Sequence, residues 1–147
     1  MAGFKRSILI QKPVEEVFDF ATSVDKASLF MPGVTKIEML TEGGIKQGAK
    51  CRETRVIKGK ERTAIIEIVE HERPRIHAAC SAVMGMKATY TLRFIADGSA
   101  TRVDLDAEVK GNLLWKLFLG MISRAMEKED GHYLNRLKDA IDMPKQP

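Results

Sequence analysis

Glu53 and Arg55 share the parity of Cys51 and Ile57 along a segment that reads as a β-strand. If that face points inward, a carboxylate and a guanidinium form a polar pair inside the fold, where a carboxylate can act as acid or base. If it points outward they form a surface salt bridge, and the sequence leaves the face open. Tyr90 falls on the apolar side of a later strand, where a buried phenol must find a partner and could orient a ligand or donate a proton. A satisfied core tyrosine fits the same pattern. His71 and His77 flank Arg73-Pro74 and can face each other across a hairpin, which would give two ligands to a metal. No third ligand is evident, so exposed turn histidines and no metal site are expected. Cys51 and Cys80 have no Cys or His neighbours at metal spacing and read as small buried hydrophobes. No nucleophile-base-orienter set, phosphate-cradling glycine loop or paired histidine-carboxylate motif occurs. No catalytic residue is assigned, and no cofactor is expected.

The 147 residues carry a formal net charge of +4, and six of the 24 basic residues lie between Lys50 and Arg62. Lys50, Arg52, Thr54 and Lys58 share one strand face without an aromatic residue to stack on bases, so a solvated outer face outweighs nucleic-acid binding. A hydrophobic content of 44% suffices for one core, and a single domain spanning 1–147 is expected. No run of 18 apolar residues occurs and Met1 to Arg6 lacks the zones of a signal peptide, so a cytoplasmic protein without membrane insertion is expected.

These residues must be positioned by alternating elements. Phe4, Ile8 and Ile10 share one face of a first strand. Pro13 starts a short helix with Glu15 and Glu16 in its first turn and an apolar stripe of Val14, Val17, Phe18 and Ala21. Ser23 can cap a second helix from Val24 to about Leu29, and Pro32-Gly33 turn the chain into the next strand. From Val34 to Gly111 the period is two, which predicts six antiparallel strands joined by short hairpins. The last two are clearest, with Ala88, Tyr90, Leu92 and Phe94 on one inward face and Val103, Leu105, Ala107 and Val109 on the other. After Gly111 a helical period runs for about 30 residues, a rod of about 45 Å if continuous. Its apolar side includes Leu114, Leu117, Phe118, Met121, Ala125, Tyr133, Leu137 and Ile141, with a bend expected near Gly120 or Gly131.

This order resembles the START-like (SRPBCC) superfamily with its helix-grip fold, and in particular its polyketide cyclase/dehydrase and lipid-transport group. The residues that carry the resemblance are Ile10, Pro13, Glu15, Val17 and Phe18 at the first junction and Phe30-Met31-Pro32-Gly33-Val34 after the second helix. Gly48, Glu70 with Pro74-Arg75-Ile76, and Gly98 with Thr101-Arg102-Val103 continue it. The Met-Pro-Gly-Val segment is also similar to a family of small carbon monoxide dehydrogenase subunits. The resemblance implies an α+β fold, a seven-stranded antiparallel sheet wrapped around a long C-terminal helix. It also implies a cavity between sheet and helix, one end sealed by the two short helices, that takes an apolar or amphipathic small molecule.

On that basis the ligand-binding candidates are Phe30, Met39, Met84, Tyr90, Leu92, Leu114, Phe118 and Met121. Flexible thioethers at Met31, Met39, Met84, Met86 and Met121 suit an adaptable wall, as they also suit ordinary core filling. Trp115 could close the mouth or simply pack. Three functions follow: binding or transfer of a lipid- or polyketide-like molecule, acid-base catalysis of the cyclase or dehydratase type, or an accessory subunit. The expected partner is a small apolar ligand; a homodimer is compatible with the sequence, and nucleic acid is not expected.

Overall fold

A computed structural model describes residues 2–83 and 85–143, with Val83 described through its backbone alone. The chain runs β1 (Ala2–Ile10), α1 (Val14–Ala21), a 3₁₀ helix (Val24–Leu29), β2 (Val34–Met39) and β3 (Lys50–Ile57). It continues through β4 (Lys60–Glu72), β5 (Ile76–Val83), β6 (Met86–Asp97), β7 (Ala100–Gly111), α2 (Leu119–Asp130) and α3 (Tyr133–Asp142). The strands form one antiparallel sheet in the order β1-β7-β6-β5-β4-β3-β2. The six strands after Val34 are those the alternation predicts, but β2 and β3 are joined by the ten residues 40–49 rather than by a tight hairpin.

The strand order explains the two short helices. Strands β1 and β2 are consecutive yet occupy opposite edges, so the intervening chain must cross one end of the sheet. Pro13, at φ −61°, supplies the extended N-cap of α1, and Val17, Phe18 and Ala21 are buried beneath it. Ser23 stands at the N-cap of the 3₁₀ helix but makes no side-chain capping bond. Thr101, fully buried, ties this crossing to the sheet through its hydroxyl, which donates to the Lys12 carbonyl at 2.8 Å. Register shifts between Val34 and Lys36 and between Ile68 and Glu70 bend the strands.

The C-terminal rod is two helices. Residues 112–118 form turns, with Trp115 N–H bonded to the Asn112 carbonyl and Phe118 N–H to the Trp115 carbonyl. Of the two expected bends, the break comes at Gly131, where an added Cβ would lie 2.3 Å from the Glu127 carbonyl oxygen. Gly120 has open space around it and lies within α2. Helix α2 packs on β1 and β7, and α3 on β1, α1 and the 3₁₀ helix. Among the described residues, the main apolar core, including Phe18, Phe94, Val103, Leu105 and Leu137, draws on β1, β6, β7 and the helices, and takes nothing from β2 to β5. The concave face of β3 to β5 is therefore left for the cavity.

At the end of β4 and the start of β5, His71 and His77 are register partners with Nδ1 atoms 3.0 Å apart. They are not exposed turn residues: His71 packs on Phe18 at 5.2 Å between ring centroids, and His77 is largely buried. Burial lowers the pKa of His71, and burial together with the neighbouring His71 lowers that of His77 to about 4. The unfolded chain thus binds more protons than the native one between its ordinary pKa of about 6.5 and pH 4. Stability from this pair is full above the unfolded pKa and lost as pH falls toward 4, by on the order of 3 kcal/mol. Urea unfolding of wild type and His77→Gln between pH 7 and 4 should show the steeper acid loss in wild type; parallel curves would refute this.

Candidate functional site

Two chambers that share part of their wall lie between the sheet and the helix pair. The first has a volume of about 130 Å³ and runs under the crossing, from Ala27 of the 3₁₀ helix past Ile68, His77 and Leu92. The second, of about 260 Å³, continues toward the opposite end, past Arg55, Ala64, Ser81 and Ala88. They share Met31, Glu53, Ile66, Ala79, Tyr90 and Tyr133 as common wall. Each is smaller than the roughly 300–1,000 Å³ usual for small-molecule sites, and together they fall in that range.

Strand alternation puts Cys51, Glu53 and Arg55 on the concave face, so the pair faces inward with side chains 14% and 16% exposed. Arg55 holds Glu53 at 3.0 Å and reaches across the cavity to Asp130 at 3.6 Å and Glu129 at 3.4 Å, both at the end of α2. The Tyr90 hydroxyl donates to the other Asp130 oxygen at 2.5 Å. Burial alone would lower the Arg55 pKa, but the carboxylates of Glu53, Asp130 and Glu129 outweigh it and raise it, so the guanidinium stays charged. This network bridges β3, β6 and the helix break.

Beside it sits Tyr133, the first residue of α3, only 8% exposed and packed edge-on against Phe30 at 5.5 Å. Its hydroxyl makes no hydrogen bond among the described residues, although the ring lines both chambers. Burial raises the pKa of both phenols, with the Asp130 carboxylate adding to it, so each is a neutral donor near neutral pH. Tyr90 has spent its proton on Asp130; Tyr133 has one to give. Burial, then Glu53, raises the Cys51 thiol as well, which leaves it a poor nucleophile in the wall. Among the described residues no cluster of three or more His, Cys, Asp or Glu could hold a metal.

The structure places Tyr90 and Leu92 on the chamber walls, and Phe30 behind Tyr133 as core. Met39 is half-buried at the end of β2 opposite Cys51, outside the lining, and Met84 lies outside the described residues. Leu114, Phe118 and Met121 are a correction: they are 79%, 47% and 63% exposed and line neither chamber. The turns before Leu119 break the expected stripe, and α2 instead turns Leu119, Ile122, Met126 and Asp130 inward. Of the described methionines expected to line the cavity, Met31 alone does so. Asp130 was missed by sequence reasoning; an acid immediately before a helix-breaking glycine is the one signal that points to it.

No curated protein matches the chain. Among solved structures, Ara h 8.0201 superposes with a TM-score of 0.76 at 12% identity, covering 94% of this chain and 95% of that one. TTHA0849 from Thermus thermophilus gives 0.72 at 18% identity, over 93% and 94% of the two chains. The di-domain ARO/CYC BexL from the BE-7585A biosynthetic pathway gives 0.79 at 17% identity, with all of this chain matching 48% of that one. At such identities the likeness establishes the helix-grip fold alone. The sequence itself matches a family description over residues 1–142, and the chain belongs to that family, polyketide cyclase / dehydrase and lipid transport, within the START-like superfamily.

Proposed function

We propose that the protein binds an apolar small molecule carrying one hydrogen-bond acceptor, its body in the apolar chamber and its acceptor oxygen on the Tyr133 hydroxyl. Family and fold support a role in ligand binding or in chemistry of the polyketide cyclase/dehydrase kind. The observation that carries the finer reading is the Tyr133 hydroxyl, on a buried ring that lines both chambers, without a protein partner among the described residues, beside polar groups that are already paired with one another. Such a group favours a ligand that supplies an acceptor, because a ligand that displaces water from the hydroxyl without replacing its hydrogen bond leaves it unpaired, at a cost of about 1–3 kcal/mol. Calorimetric titration should show 2-acetylnaphthalene binding about fivefold more tightly than 2-ethylnaphthalene, in keeping with a net contribution of about 1 kcal/mol per hydrogen bond. Tyr133→Phe should remove that preference and keep the affinity for the hydrocarbon. Equal affinities in wild type, or a preference that survives in the variant, would contradict the reading.

A second reading, acid-base chemistry on a polyketide-like chain, is favoured by the Tyr90–Asp130 pair in the same wall. In such chemistry the Tyr90 hydroxyl turns its hydrogen bond from Asp130 to a substrate ketone, the released Asp130 carboxylate takes a proton from the adjacent carbon and later returns it, and the Arg55 guanidinium offsets the charge that develops on the enolate oxygen. In that case Tyr90→Phe should lower turnover of a poly-β-ketone thioester by about 10²-fold or more, the usual size of a lost general acid. Ligand affinity should change little. Absence of any turnover in wild type sinks this second reading and leaves the first standing.

A further inference from the structure

We infer that the protein docks on an anionic lipid surface through the turn segment between β7 and α2, at the end of the sheet toward which the second chamber runs. Leu113, Leu114 and Leu117 are 80%, 79% and 90% exposed, and Phe118 and Met121 add further apolar surface beside them. Isolated exposed apolar residues are ordinary, but five within nine positions form a patch of the kind that marks an interaction site. The segment is held in place rather than loose: Asn112 N–H bonds the Gly85 carbonyl at 3.1 Å, and Gly111 pairs with Met86.

Charge identifies the occupant. Residues 109–126 contain Lys110, Lys116 and Arg124 and no acid. The strand directions bring the β3–β4 and β5–β6 hairpins to this same end, with exposed Lys58, Lys60, Arg62 and Lys87 on them. The basic stretch that strand parity leaves as a solvated face therefore brings its last three cations to the same end of the sheet as the apolar segment, with Glu61 among them. Leucine, phenylalanine and a tryptophan at an end of the sheet that also carries these cations match the boundary between acyl chains and anionic headgroups. A second copy is a poorer fit, because a two-fold contact sets like surface against like and would bring the same cations together. Stacking on nucleic-acid bases needs aromatic platforms, and the patch is mainly aliphatic.

The position also has a use. Ser81 and Ala88, register partners beside the β5–β6 hairpin, line the second chamber. A bilayer against this end would lie next to the second chamber.

The test is co-flotation of the full chain with phosphatidylcholine vesicles containing about one third phosphatidylglycerol, with pure phosphatidylcholine vesicles in parallel. Trp115, the sole tryptophan, reports on the segment itself. Anionic vesicles should bind the protein and shift Trp115 emission to shorter wavelength, and added salt should weaken both effects. Leu114→Gln with Leu117→Gln should cut binding at least about tenfold. Unfolding should be unchanged, since both side chains are exposed. The inference is overturned by failure to float with anionic vesicles, by a variant that binds like wild type, or by equal binding to neutral vesicles. It is also overturned if lipid-free sedimentation shows a dimer that the double variant dissociates, which assigns the patch to a second copy.

Discussion

A guanidinium can leave water only where anions meet it, and the position of Arg55 on the concave face of β3 sets that requirement for the whole site. Burying a charge without partners costs several kcal/mol even after the protein relaxes. Glu53, two residues away on the same strand, answers part of it; the rest comes from Glu129 and Asp130 across the cavity. Helix α2 must therefore end where its last carboxylates reach Arg55, and the break at Gly131 lets it do so. The same break starts α3 at Tyr133 and sets its ring against Phe30. One ion-pair network thus fixes the helix junction, spaces it from β3 and holds open the room between them.

The division of labour in the sheet follows. Strands β1, β6 and β7 make the solid core with α1 and α3, whereas β3 to β5 face the chambers. An apolar core packed to normal density would fill that space; here a polar bridge spans it. The result is a wall that is mostly apolar, with donors and charges gathered at one place, the pattern that orients a ligand by one end. The His71–His77 pair lies at the far end from that cluster; His71 packs against Phe18 of α1, and His77 lines the first chamber.

Much of this was legible in the chain. Strict alternation in β6 and β7 gives both inward faces, because a sheet with one wet face must alternate. Pro13 with its two following glutamates marks α1 by its fixed φ and the helix dipole. The parity of Cys51, Glu53 and Arg55 groups them correctly, but parity does not say which face is inside; that depends on the curvature of the whole sheet. The C-terminal segment was the least legible. Apolar residues at helical spacing predict a stripe, and periodicity cannot distinguish a stripe covered by the protein's own core from one left exposed. Leu114, Leu117 and Phe118 followed the rule for a buried helix face and lie on the outside. Asp130 was hidden for the converse reason: its place in the site depends on where a helix stops, and element boundaries are weakly written in sequence.

The most direct measurement is a crystal structure of the protein purified under native conditions and soaked with 2-acetylnaphthalene. The account predicts ring density in the apolar chamber and the ketone oxygen within about 2.5–3.0 Å of the Tyr133 hydroxyl, with the Arg55 bridge to Asp130 intact. A chamber closed by collapsed side chains, or a ligand whose oxygen turns away from Tyr133, would contradict it.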